Sequence, residues 1–206
     1  MLINLNKCIG CDACTVACKV ANSTPQGVLW NKVAKTEYGT FPDVTKVFFP
    51  RPCMHCDDPA CVSVCPTGAS HKRADGIVLV DYDRCIGCKY CIAACPYAVR
   101  TFVKDLHSNF SGPSPAVVEE LGFAKLESGV VQKCTFCYTR VDQGLQPACV
   151  QTCPGEARTF GDLADPASDI SKQISQLKAV QILPELGTNP SVYYVPPSKG
   201  QILFKK

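Results

Sequence analysis

The segment that decides the fold is residues 84–97, which read RCIGCKYCIAACPY. Its four cysteines, Cys85, Cys88, Cys91 and Cys95, follow the spacing C-x2-C-x2-C-x3-C, and a proline comes directly after the last one. Three closely spaced cysteines on a tight loop can bind three corners of one cubic cluster, whereas a cysteine one helical turn further along points elsewhere. The spacing therefore predicts a loop followed by a short helix.

The other cysteines repeat this pattern, so that the sixteen in the chain divide into four groups of four. Every group opens with C-x2-C and closes with C-x3-C, and the middle gap widens to four residues in group two and to eleven in group four. In chain order, the groups are Cys8, Cys11, Cys14 and Cys18; Cys53, Cys56, Cys61 and Cys65; Cys85, Cys88, Cys91 and Cys95; and Cys134, Cys137, Cys149 and Cys153. Gly10 and Gly87 occupy matching places in groups one and three, where we expect conformations that other residues rarely adopt.

This repeat predicts four [4Fe–4S] clusters with thiolate ligands, because in two-cluster ferredoxins the fourth cysteine of each run binds the other cluster. Two alternatives stay open. A disulfide scaffold also uses an even number of cysteines, and structural zinc also uses sets of four. A radical-SAM site is excluded, since its C-x3-C-x2-C order needs a cysteine where the chain has Ala21, Gly68, Ala98 and Glu156.

The rest of the composition indicates a thin apolar core and excludes several classes of protein. Apolar residues make up 46% of the 206 residues, but about 38% remains once the cysteines are set aside. No apolar run reaches the roughly 20 residues of a membrane-spanning helix, and neither a Sec signal nor an Arg-Arg pair is visible. The formal charge of +3 is too small to indicate nucleic-acid binding.

The predicted fold class is α+β, with two ferredoxin-like modules of two clusters each, one inserted in the other, and a C-terminal docking tail. Module A takes residues 1–50 and 130–165, which hold groups one and four. Module B takes residues 51–103, which hold groups two and three. Residues 104–129 form an insertion, and residues 166–206 form the tail.

Short elements are expected around the cysteines. Strands are predicted over residues 2–5, 77–80, 99–103, 130–132 and 191–195, and helices over residues 12–21, 59–64, 88–94, 116–126 and 147–152. Ser114-Pro115 and Asp165-Pro166 are typical helix starts. Residues 22–52 are predicted to be a connector because prolines and glycines interrupt them. In the tail, Ile170, Ile174 and Leu177 form an apolar stripe that packs on its own module or straps onto a partner.

No residue in the chain is predicted to be catalytic, and whether the chain counts as an enzyme is left open. We find no nucleophile–base pair, phosphate-binding loop or supported carboxylate pair. His55 is not expected to be a ligand, because its group already has four cysteines. Cations beside the motifs are expected either to offset cluster charge or to lie in solvent; they are Lys7, Lys19, Arg84, Lys89 and Lys133.

With these flanking residues, the sequence resembles the four-cluster iron–sulfur (beta) subunits of molybdopterin oxidoreductases of the dimethyl sulfoxide reductase type. The resemblance covers residues 1–165 strongly and the tail weakly. It is most specific in residues 53–69, which read CMHCDDPACVSVCPTGA, in residues 83–97, and in Cys134-Thr135-Phe136-Cys137. Cys18 is followed by Lys19, whereas the closing cysteines of the other three groups are each followed by a proline. This exception in group one is also typical of that family.

The resemblance implies how the sixteen cysteines are divided among the four [4Fe–4S] clusters. Set one is Cys8, Cys11, Cys14 and Cys153; set two is Cys53, Cys56, Cys61 and Cys95; set three is Cys85, Cys88, Cys91 and Cys65; and set four is Cys134, Cys137, Cys149 and Cys18. Set one is implied to face the catalytic subunit. No group lacks a cysteine, so no [3Fe–4S] cluster is expected.

The resemblance also implies a non-catalytic electron-transfer subunit used in anaerobic respiration. Its expected partners are a large molybdopterin subunit, with molybdenum or tungsten, and a quinone-linked membrane subunit, a cytochrome or a soluble carrier. Residues 39–44 and 149–163 look most similar to respiratory arsenate reductase small subunits, followed by polysulfide, thiosulfate and tetrathionate reductase subunits. A periplasmic location through the partner's twin-arginine signal is expected, with a cytoplasmic one as the alternative. The alternative function is a freestanding polyferredoxin.

Overall fold

The computed structural model describes residues 1–112 and 116–198, and within these ranges the chain is an α+β assembly of short elements. The strands are β1 (Leu2–Asn4), β2 (Lys32–Thr40), β3 (Asp43–Arg51), β4 (Ser70–Lys72), β5 (Val78–Val80), β6 (Thr101–Val103), β7 (Val130–Gln132), β8 (Arg158–Thr159) and β9 (Tyr193–Val195). The helices are α1 (Ala13–Asn22), α2 (Ala60–Ser63), α3 (Tyr90–Ala93), α4 (Val117–Phe123), α5 (Tyr138–Val141), α6 (Ala148–Gln151) and α7 (Asp169–Gln176). The predicted helix start at Ser114-Pro115 lies outside the described residues.

Distant parts of the chain meet in one small sheet. Strand β1 lies in its centre, antiparallel to β8 and parallel to β9. Helix α1 packs against α6, so groups one and four lie together although more than a hundred residues separate them. This is the contact that the nested two-module arrangement requires, while the boundaries of the modules stay a prediction.

The region of groups two and three has its own pairings. Strands β4 and β5 form an antiparallel pair, and α2 contacts α3. Strand β6 pairs antiparallel with β7, with Thr101 opposite Gln132. The end of this region is thereby joined to the chain that leads into group four.

The prediction that residues 22–52 form a connector is wrong, because most of this stretch is a long β-hairpin. Strands β2 and β3 pair antiparallel from Lys32 opposite Arg51 to Thr40 opposite Asp43. A two-stranded ribbon has an exposed edge on each side, so Pro50 is tolerated near its end. The tip carries Phe41, which is 92% exposed.

Cysteines occupy part of the buried interior, as the thin apolar core predicts. The main core cluster contains ordinary apolar side chains such as Ile3, Trp30 and Tyr194. The same cluster includes five buried cysteines, namely Cys14, Cys18, Cys53, Cys134 and Cys149. We therefore expect the stability of the fold to depend on what these cysteines bind.

The described part of the tail packs on the chain itself. Helix α7 begins later than Asp165-Pro166 predicts, because Ser168 is its N-cap and accepts a hydrogen bond from the Ser171 amide. Ile170 is buried against Leu2 and Val195, whereas Leu177 is 41% exposed. Two of the three stripe residues therefore pack inward, since Ile174 joins the same cluster.

Candidate functional site

Three cavities each collect four cysteines from two different groups. They are lined by Cys8, Cys11, Cys14 and Cys153, by Cys53, Cys56, Cys61 and Cys95, and by Cys65, Cys85, Cys88 and Cys91. In each case three cysteines come from one group and the fourth closes a different group. The cavities contain the cysteines of sets one, two and three.

The cysteines of set four also lie together. The Nδ2 atom of Asn22 is 3.6 Å from the Cys18 sulfur and 3.8 Å from the Cys137 sulfur. Burial raises the pKa of the Cys18 thiol well above its ordinary value, and the neighbouring Cys134, Cys137 and Cys149 raise it further. Cys18 thus comes from α1 to meet three cysteines that follow it by more than a hundred residues.

Loops and one-turn helices position these sulfurs. The third cysteine of each group lies within a helix, and the closing cysteines of groups two, three and four come just after the helix ends. Gly10 and Gly87 have φ values of 69° and 65°, as their places in the motifs predict. At Gly87 an added Cβ would lie 2.3 Å from the Gly129 carbonyl oxygen, so only glycine fits there.

The chemistry of the donor set fits iron–sulfur clusters. No disulfide bond joins any two of the sixteen cysteines. Burial raises the pKa of Cys56 and of Cys134 to about 12, so these thiols ionise only where a positive centre stabilises the thiolate. Among residues 1–112 and 116–198, no three His, Cys, Asp or Glu side chains are close enough to hold one metal ion, as a zinc site would require.

The four sets follow one another in a row. Cys14 of set one adjoins Cys149 of set four, and Cys134 of set four adjoins Cys53 of set two. Sets two and three meet where Arg100 contacts both Cys61 and Cys91. The order in space is therefore one, four, two, three.

His55 is fully buried between Val78, which lines the cavity of set two, and Phe136, which precedes Cys137 of set four. Its Nδ1 atom accepts a hydrogen bond from the Val78 amide at 3.0 Å, and its ring stacks on Phe136 with 3.7 Å between ring centres. Burial lowers the pKa of His55 well below its ordinary value, which keeps the ring neutral. The ring therefore fills the core as a neutral group.

Sequence reasoning missed two buried arginines, Arg100 and Arg158, that donate to cysteine sulfurs. A signal for them was present, because each follows a cysteine-proline pair by the same distance, as Cys95-Pro96-x3-Arg100 and Cys153-Pro154-x3-Arg158. Of the cations expected beside the motifs, only Lys133 is buried.

Fold and site together define a ferredoxin-type protein with several clusters. Two family models described as "4Fe-4S dicluster domain" match the chain, one over residues 44–110 and 120–163 and the other over residues 7–69. The chain is 44% identical to a subunit of the selenate reductase of Mesobacillus selenatarsenatis, over 95% of this chain and 70% of the relative. No helix among the described residues is long and apolar enough to cross a membrane.

Other relatives have similar names. The chain is 42% identical to the arsenate respiratory reductase iron–sulfur subunit of a Shewanella species, over 95% of this chain and 94% of the relative. It is 43% identical to a subunit of the tetrathionate reductase of Salmonella typhimurium, over 95% of this chain and 71% of the relative. The chain belongs to this family of 4Fe–4S dicluster iron–sulfur subunits, whose role is electron transfer.

Proposed function

We propose that this chain conducts electrons between a large molybdopterin subunit and a quinone-linked membrane subunit or soluble carrier. The observation that carries the proposal is the row of four cysteine sets with exposed residues at both ends. Cys11 of set one and Cys88 of set three are exposed, whereas all four cysteines of set four are buried. Bound clusters supply one-electron redox chemistry, and the protein supplies ligands, burial and a fixed spacing.

We also propose the division of ligands given above as sets one to four. Its support is that each of three cavities is lined by the four cysteines of one set, and that Cys18 adjoins the rest of set four. Within one helical turn, Cys149 belongs to set four and Cys153 to set one. Residues close in the chain thus serve different clusters, and residues far apart serve the same one.

Single replacements test this division. Cys153→Ala should remove the same cluster signal in EPR spectra as Cys8→Ala, because both are in set one. Cys149→Ala should remove the same signal as Cys18→Ala, and this signal should differ from the first. Loss of one common signal in Cys149→Ala and Cys153→Ala would refute the proposed sets.

We propose that the catalytic partner acts on an oxyanion. Relatives of this chain are named for reductases of selenate, arsenate and tetrathionate. Arsenate is the first substrate to test, because residues 39–44 and 149–163 resemble those of respiratory arsenate reductase small subunits.

Anaerobic purification tests the partner and the substrate together. Four [4Fe–4S] clusters correspond to about sixteen iron atoms per chain. Co-elution of that iron with molybdenum or tungsten in one large complex would support the subunit role, and reduced-dye assays with arsenate, selenate and tetrathionate would then identify the substrate. The same iron in a small particle, with no partner retained after cross-linking in cells, would instead support a freestanding polyferredoxin.

Two further parts of the proposal concern location and docking. We propose that the chain is exported folded with its partner's twin-arginine signal to the periplasm, and fractionation of cells with and without that partner tests this.

The tail is proposed to dock on the complex through residues that it leaves exposed, namely Leu177, Leu183 and Leu186. Their replacement by serine should weaken retention of the partner and leave the iron content unchanged.

A further inference from the structure

Arg158 lies between set one and set four. Its Nη2 atom donates to the Cys14 sulfur at 3.4 Å and to the Asn31 side-chain oxygen at 2.9 Å. Its Nη1 atom lies 3.7 Å from the Cys149 sulfur. The side chain is buried, with 5% of its surface exposed. One guanidinium therefore contacts the third cysteine of group one and the third cysteine of group four.

Arg100 has the same place between set two and set three. Its Nη2 atom donates to the Cys61 sulfur at 2.8 Å, and it also forms a hydrogen bond with the Cys91 side chain. Its Nη1 atom donates to the Ser70 hydroxyl at 2.8 Å. Cys61 and Cys91 are the third cysteines of groups two and three, so the contact of Arg158 is repeated in the other half of the chain.

Lys133 occupies the remaining gap, between set four and set two. Its Nζ atom donates to the Val78 carbonyl oxygen and, at 2.7 Å, to the Cys134 carbonyl oxygen. It also faces Cys53 and Cys61 of set two. Each of the three gaps in the row one, four, two, three thus contains one buried basic side chain. Burial lowers the pKa of Lys133, whereas the guanidinium of an arginine stays charged.

In the described part of the chain, the side chains of Arg100, Lys133 and Arg158 form no ion pair with a carboxylate. A buried charge is costly unless an opposite charge or a metal site compensates it. The nearby groups that can supply negative charge are the cysteine thiolates and the clusters that they hold, since a cubane with four thiolates carries about −2 when oxidised.

We infer that Arg100 and Arg158 raise the reduction potentials of the clusters on both sides of each one. Reduction adds one electron and therefore one unit of negative charge, while the guanidinium of the arginine gains neither an electron nor a proton. A fixed positive charge stabilises the more negative, reduced form more than the oxidised form. Placed between two sets, it also screens the repulsion that an electron on one cluster exerts on the next.

The inference rests on the four-cluster role proposed above, and the experiment distinguishes a failure of the inference from a failure of that role. Holoprotein is purified anaerobically with its native partners as Arg158→Gln, Arg100→Gln and Arg158→Lys variants. Iron content reports whether the clusters assemble, and EPR-monitored redox titration gives the potentials, with signals assigned through the cysteine replacements above. Arg84→Gln is the matched control, because Arg84 is next to Cys85 but exposed to solvent.

We expect full iron in each variant and a pairwise pattern of shifts. Arg158→Gln should lower the potentials of sets one and four, and Arg100→Gln those of sets two and three. The ratio of reduced to oxidised cluster at a fixed ambient potential should fall at least tenfold, which is 59 mV for a one-electron couple. Arg158→Lys, which keeps the charge, should remain near the wild-type potentials, and Arg84→Gln should shift them much less.

Unchanged potentials with full iron in the glutamine variants would overturn the inference while leaving the four-cluster role intact. Equal shifts of all four clusters would also overturn it, because a general loosening of the fold does not follow the contacts. If Arg158→Gln loses iron, the Arg158→Lys variant distinguishes a role of the positive charge from a purely structural role. Retained iron with wild-type potentials would support the role of the charge, and loss of iron in both variants would show that the arginine is structural only.

Discussion

The hydroxyl of Tyr194 donates a hydrogen bond to the carbonyl oxygen of Pro50 at 2.9 Å, across 144 positions of the sequence. Tyr194 is fully buried in β9, and its ring stacks on Phe49 with 4.7 Å between ring centres. Pro50 lines the cavity of set one. This contact joins the tail to the base of the hairpin where the hairpin closes over that cavity.

We expect Tyr194→Phe to destabilise the holoprotein by about 1 kcal/mol, because the buried Pro50 carbonyl loses its partner. Tyr194→Ala should cost about 3–5 kcal/mol, since it also removes the stacked ring and leaves a cavity. Anaerobic thermal denaturation measures both. Tyr90→Phe is the control, because Tyr90 is 63% exposed and should change stability little. Equal stabilities for Tyr194→Phe, Tyr194→Ala and wild type would contradict this role for the tail.

Gly87→Ala should damage set three selectively. An added Cβ at Gly87 would meet the Gly129 carbonyl oxygen at 2.3 Å, and φ is 65° there. Gly76→Ala is the matched control, because Gly76 also has a positive φ, of 86°, but has no atom within 4 Å of the added Cβ. We expect Gly87→Ala to lose about one quarter of the iron, the share of one cluster among four, and Gly76→Ala to keep it. Similar iron loss in both variants would mean that backbone strain, rather than the close contact, is responsible.

Glu119 should hold the insertion in place only while it is ionised. It accepts hydrogen bonds from the Ser108 hydroxyl at 2.5 Å and from the Asn109 amide at 2.8 Å. The Asn109 side chain also donates to the Thr24 carbonyl oxygen, which connects residues 108–119 to the chain that follows α1. Burial opposes ionisation, but these hydrogen bonds outweigh it and lower the pKa of Glu119. The stabilisation is therefore complete above the unfolded pKa of about 4.3 and is lost as the pH falls through the lower folded pKa.

Hydrogen exchange measured on peptides from residues 104–112 tests the direction of this pH dependence. Glu119→Gln should lower the protection factors of these amides several-fold at pH 7. In the wild type, once the intrinsic exchange rate at each pH is divided out, similarly low protection factors should be reached only in acid. Glu120→Gln is the matched control, because Glu120 is the exposed neighbour on the same helix. Exchange that is equally slow in Glu119→Gln and Glu120→Gln at pH 7 would contradict the prediction.

Much of the cysteine architecture could be predicted, because its causes are local. A C-x2-C-x2-C run dictates a loop, and the x3 spacing dictates a helical turn, so the helices at Cys91 and Cys149 occur where expected. Strand β7 has its predicted bounds for a similar reason, since Val130 and Val131 are β-branched and follow a glycine.

The remaining features depend on partners distant in the chain. Strand β4 is short and polar, with the sequence Ser-His-Lys, and becomes a strand only because β5 pairs with it. Strands β2 and β3 do not alternate between buried and exposed residues, and Gly39, Pro42 and Pro50 interrupt the segment, so the hairpin follows only from the pairing of its two strands. Burial of Arg100 and Arg158 depends on two groups of cysteines meeting, which no single motif shows, although the repeated C-P-x3-R spacing was visible.

The clusters should supply much of the folding free energy, because cysteines stand where other proteins have apolar side chains. Cys14, Cys18, Cys53, Cys134 and Cys149 all lie in the main core. Removing iron leaves these thiols with unfilled cavities, as removal of structural metals does in small metallodomains. Iron-free chain should therefore lose the dispersed NMR spectrum of a packed core and melt without a cooperative transition. Reconstitution with iron and sulfide should restore both, which separates loss of the cluster from chemical damage. A cooperative, native-like melt of the iron-free chain would show that the apolar side chains alone hold the fold.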